Sequence, residues 1–128
     1  MSWDIVIFSS KQKIHAVEEV DEELLVAVDF NAILEKHFNN ITADKNQHEI
    51  KGDNYAIVYY ADQEPVSNKI FSLYGEEALF ELARIAKLYG WQIFDTGNGK
   101  MLDLEYPEKN GYSNFQSFLQ HVLKNTDN

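Results

Sequence analysis

The sequence predicts an α+β domain: a mostly antiparallel sheet with helices packed on one face. Three observations carry that prediction. Short β-rich runs are interleaved with only three helical periods. Neighbouring β-rich runs are joined by short turn signals, as hairpins are. The composition is that of one globular unit, 128 residues with 45% hydrophobic and 25% charged side chains. The element order reads β-α-β-β-α-β, then β-α. The first six elements follow the ferredoxin-like succession, with a hairpin strand and a C-terminal helix added.

Each element has a local reason. Trp3 to Phe8 is rich in β-formers and alternates weakly, giving a first strand. Ser9 to Glu23 is polar and aperiodic. Asp29 can cap a helix, with Phe30, Ile33, Leu34 and Phe38 at helical spacing. Asn39 to Gln47 reads as a polar loop. Glu49 to Ala61 reads as a strand interrupted at Gly52-Asp53, and Lys69 to Tyr74 as its antiparallel partner. A second helix opens at Gly75-Glu76-Glu77 and closes at Gly90. Its polar stripe is only Glu77, Glu81, Arg84 and Lys87, so most of its circumference is expected to be buried. Trp91 to Asp95 and Lys100 to Leu104 form a hairpin around Asn98-Gly99. Ser113 and Gln116 match a capping box, and Phe115, Phe118, Leu119, Val122 and Leu123 make one apolar stripe of a last helix. Residues 1–124 are expected to form one domain and 125–128 a disordered tail.

The absence of cysteine excludes disulfides, thiolate metal sites and thiol nucleophiles. The start, Met1-Ser2-Trp3-Asp4, lacks the basic, then apolar, pattern of a signal peptide, and no run is long enough to span a bilayer. A cytoplasmic protein is expected. The formal net charge of −10 opposes binding to nucleic acid or to an anionic membrane surface. Five carboxylates, Glu18, Glu19, Asp21, Glu22 and Glu23, fall within one short segment and offer a surface to a basic partner.

Few motifs carry chemistry. Ile93-Phe94-Asp95-Thr96-Gly97 resembles the active-site signature of aspartic proteases. That chemistry needs two aspartates sharing a proton, and the flanking sequence reads instead as a strand ending in a turn. Asp95, Asp103, Glu105 and Glu108 form an acidic set without ligand spacing. If four residues make the turn, Asp95 stands opposite Lys100. His15, His37, His48 and His121 show no paired spacing and read as packing or surface groups. No cofactor or metal is expected. Tyr55, Ile57 and Tyr59 share one strand face, and Ala56, Val58 and Tyr60 the other. Such a strand is either covered on both sides or presents tyrosines, including Tyr59 and Tyr60, as a contact surface.

The segments Met1-Ser2-Trp3-Asp4-Ile5, Ser72-Leu73-Tyr74-Gly75-Glu76, Trp91-Gln92-Ile93-Phe94-Asp95 and Asn110-Gly111-Tyr112 resemble a family of small uncharacterised bacterial proteins. The resemblance implies a bacterial origin and a compact domain, and it carries over no functional residue. The residues themselves favour a non-enzymatic protein-binding module of inhibitor or immunity type, with a basic partner. The alternatives are a small carboxylate-dependent hydrolase around Asp95, Asp103 and Glu105, or a ligand-binding regulatory module. The sequence leaves oligomeric state open.

Overall fold

The computed structural model describes residues 2–104. Its first strand, β1 (Ser2–Phe8), lies inside the sheet and carries Ile5 and Ile7 into the core, both fully buried. After β1 the chain makes two 3-10 turns, Val17–Glu19 and Glu22–Leu24, and then α1 (Phe30–His37). Asp29 caps α1 as expected, its Oδ1 accepting the Ala32 N–H at 3.0 Å. Four strands follow: β2 (Ile41–Asp44), β3 (Gln47–Lys51), β4 (Ala56–Tyr60) and β5 (Asn68–Tyr74). Helix α2 (Glu76–Tyr89), β6 (Gln92–Asp95) and the short β7 (Lys100–Met101) complete the described chain.

The fold is therefore α+β, with an antiparallel sheet of seven strands and two helices among the described residues. The strand order is β2-β3-β4-β5-β1-β6-β7. Strands β5 and β6 flank β1, both antiparallel to it, and α2 makes the crossover between them. The succession differs from the β-α-β-β-α-β expectation because four strands, not two, separate the helices. Residues 39–47 contain β2 and a tight turn at Lys45, whose φ of 57° is left-handed. Gly52-Asp53 is no mere interruption: it falls between β3 and β4, which pair antiparallel. Strand β7 is shorter than the expected Lys100 to Leu104. The expected last helix and tail lie outside the described residues.

Burial lies mainly on one side of the sheet, with Phe8 at the end of β1 buried on the other. Ile5 and Ile7 of β1, Ile50 of β3, Ile57 and Tyr59 of β4, Phe71 and Leu73 of β5 and Ile93 of β6 all belong to one sheet face by register. They join Phe30 and Leu34 of α1 and seven residues of α2 in a single core. Helix α2 is buried over most of its girth as expected, although Leu88 and Tyr89 at its end are exposed. Gly90 ends it in the left-handed conformation, φ 71°. No helix among the described residues is long and apolar enough to cross a membrane.

Candidate functional site

Among the described residues most of the opposite sheet face is left open; Phe8, at the end of β1, is the buried exception. Register aligns Val6 of β1 with Ile70 of β5 on one side and Phe94 of β6 on the other, and Phe94 with Met101 of β7. Continuing the β4–β5 register by two residues sets Tyr60 beside Ile70. The result is one row of apolar side chains crossing five adjacent strands, each step about 4.8 Å. Ile70 is 61% exposed and Tyr60 59%, and Tyr74 on the same face is 43% exposed. Val6, Phe94, Met101 and the neighbouring Val58 are half-exposed. Exposed patches of this kind mark contact surfaces.

The charges on this face are mostly negative. Asp4, Asp44 and Glu49 point to it by register, against Lys51. Asp4 stands opposite Ser72, whose Oγ donates to Asp4 Oδ1 at 2.8 Å.

The acidic turns lie beyond the end of β1, where residues 9–11 run beside 24–26. Glu18, Glu19, Asp21, Glu22 and Glu23 are all exposed. Gln12 fixes the two turns: its Nε2 donates to Glu19 O at 2.7 Å and its Oε1 accepts the Asp21 N–H at 2.8 Å. The five carboxylates form no ion pair among the described residues.

The other sequence candidates sit elsewhere. Tyr59 is not a surface residue: it is 1% exposed, because β4 lies between β3 and β5 and Tyr59 points to the covered face. Its hydroxyl donates to Asn31 Oδ1 at 3.0 Å. Burial first, then the nearby charges of Glu35 and Glu64, push the phenol pKa far above its ordinary value. Around it stand His48, which the sequence read as a packing or surface group, and polar groups that sequence reading did not single out. Asn31 donates to Glu35, His48 packs on the Tyr59 ring, and Glu64 accepts the Phe30 N–H and pairs with Lys69 at 2.5 Å. No spacing signal joins residues so far apart in the chain; the sheet register assembles them.

Asp95 is also buried, 2% exposed, and serves the turn it begins. Its Oδ1 accepts the Gly97 N–H at 2.9 Å and its Oδ2 accepts from Asn98 Nδ2 at 2.8 Å. The register sets Asp95 opposite Lys100 as the sequence suggested. Asp103 lies beyond the end of β7 and lines a different recess from Asp95. Asp95→Asn keeps an acceptor for Gly97 but loses the one facing Asn98. It is expected to cost about 1 kcal/mol and to leave the fold intact. A chemical denaturation curve showing a loss above about 3 kcal/mol would contradict this role.

Asp103 is half-buried at the end of the described chain, and Glu105 lies outside the described residues. No group of three or more His, Asp or Glu residues is placed to hold a metal ion among the described residues. Compared with protein-family models, curated proteins and solved structures, the chain gives no match.

Proposed function

We propose that this chain is a non-enzymatic protein-binding module, of inhibitor or immunity type, that docks a basic partner on its open sheet face. The observation that supports the reading is the row Tyr60–Ile70–Val6–Phe94–Met101, exposed or half-exposed and uncovered by any other described residue. Solvation of such a row costs free energy, and a partner that covers it recovers about 25 cal/mol per Å² of apolar surface. Tyrosine at its rim joins apolar area to a polar tip, as interfaces favour. Charge selects the partner. A second copy brings another −10 and repels, whereas a basic surface meets Asp4, Asp44 and Glu49 on the face and the five carboxylates of the 3-10 turns beyond β1.

The test uses the full chain immobilised against an extract of its native host, followed by kinetics with the isolated partner. Tyr60→Ser with Ile70→Asp should weaken binding at least ten-fold. Leu88→Gln, on the far side of the molecule, should leave it unchanged. The triple change Glu18→Gln, Glu19→Gln, Glu22→Gln should slow association several-fold with little change in melting temperature. So should raising salt from 0.01 to 0.15 M, which shortens the Debye length from about 30 to about 8 Å. A partner that binds the face variant like the wild type, or an acidic one indifferent to salt, would overturn the proposal.

A further inference from the structure

A second surface has the opposite charge and another shape. A cleft of about 680 Å³ lies between residues 11–15, the end of α2 and the strand β7 with its continuation to Leu104. That volume is of small-molecule size. Its floor is apolar: Ile14, Trp91 and Leu102, each 7% exposed or less. Its rim carries Lys11, Lys13, His15 and Lys87, all exposed, with Asp103 the only carboxylate among the described lining residues.

Three amines against one carboxylate invert the balance of a chain that has 21 acidic and 11 basic side chains. Lys69 and Arg84 are held by Glu64 and Glu81, whereas Lys11, Lys13 and Lys87 form no ion pair among the described residues. A recess lined by one sign of charge focuses its field on what enters.

The wall is held in place before any ligand arrives. Gln92 Oε1 of β6 accepts the Ile14 N–H at 2.7 Å, and Gln92 Nε2 donates to Gln12 O at 2.7 Å. The loop is thereby fastened to the sheet edge with Ile14 turned inward and Lys11, Lys13 and His15 turned out. Opposite, Gly90 and Trp91 both donate backbone N–H groups to Ala86 O, ending α2 at the cleft.

We infer that this cleft binds a small organic anion, its carboxylate or phosphate head against Lys11, Lys13 and Lys87 and its apolar body over Ile14 and Leu102. The cleft shares Met101 with the exposed row of the sheet, but none of the residues that would hold the anion belongs to that row. Lysine serves such a head as a flexible point charge.

Amide NMR shifts of the full chain, at fixed ionic strength, test it with four probes. Phenyl phosphate and benzoate supply the two heads on a ring, inorganic phosphate the head alone, and benzyl alcohol the body alone. Saturable shifts confined to residues 11–15, 86–92 and 101–104 are expected with at least one aromatic anion. Inorganic phosphate should bind more weakly and benzyl alcohol not detectably. Replacing Lys11, Lys13 and Lys87 together by Gln should weaken binding at least ten-fold, while replacing them by Arg should keep it within about three-fold. The inference fails if neither aromatic anion saturates, if benzyl alcohol binds as well as the anions, or if the Gln variant binds like the wild type.

Discussion

Leu82→Ala and Ile85→Ala are each expected to destabilise the protein by about 2–5 kcal/mol in urea unfolding, the cost of deleting a large aliphatic side chain from a filled core. Both residues are fully buried on α2, in the core shared by the sheet and both helices. Relaxation around either site is limited because neighbours on α2, Leu79, Ala83 and Ala86, are themselves buried. Leu88, one turn on and 64% exposed, supplies the contrast: its replacement by Ala should change stability by less than about 0.5 kcal/mol. A loss below about 1 kcal/mol for both core variants would mean that α2 does not pack as described.

Gly75→Ala is expected to cost about 2–3 kcal/mol, for a different reason. Gly75 precedes α2 with φ 90° and ψ 144°, a conformation available almost only to glycine. A Cβ there would lie 2.7 Å from the Asn54 carbonyl oxygen, a backbone atom in the link between β3 and β4 that has no free rotamer to escape by. Gly90, at the other end of the helix, has φ 71° but nothing within 4 Å of an added Cβ. Gly90→Ala should therefore cost only its conformational strain, about 1 kcal/mol. Thermal unfolding of the two variants side by side checks the ranking. Equal losses would show that the close approach at Asn54 does not matter.

Those glycines were legible before any coordinates, and so were the elements with strong local signals. Asp29 caps α1, and Phe30, Leu34 and Phe38 turn inward at the spacing the sequence shows. The edge strand β2 was not legible. Ile41 is half-buried and Thr42, Ala43 and Asp44 are exposed, so no alternation marks them. Only pairing with β3 makes them a strand. The run from Glu49 to Ala61 hid a reversal because β-forming residues stand on both sides of Gly52-Asp53 and the turn itself is short.

The candidate surfaces were legible in part. The acidic segment was plain from composition, and its five carboxylates are exposed. Strand β4 was ambiguous because both of its faces are apolar; the sheet buries Ile57 and Tyr59 and exposes Tyr60. Val6, Ile70 and Phe94 look like core residues in the sequence. They form a surface row only because the β1–β5 and β1–β6 registers bring them abreast. The cationic cleft was hidden for a similar reason, since Lys11, Lys13 and Lys87 meet only through the Gln92 clamp and the end of α2.

Among the described residues one sheet face is covered and the apolar row on the other is exposed, and the isoleucine methyl groups report both. In the free full-length protein, a soluble paramagnetic agent should broaden the Ile70 methyl strongly, because that residue is 61% exposed. The methyls of Ile5, Ile7, Ile57 and Ile93, all fully buried on the opposite face, should be nearly untouched. The pattern should not change with protein concentration. An Ile70 methyl as protected as that of Ile5 would contradict the account, and so would protection that grows as the protein is concentrated.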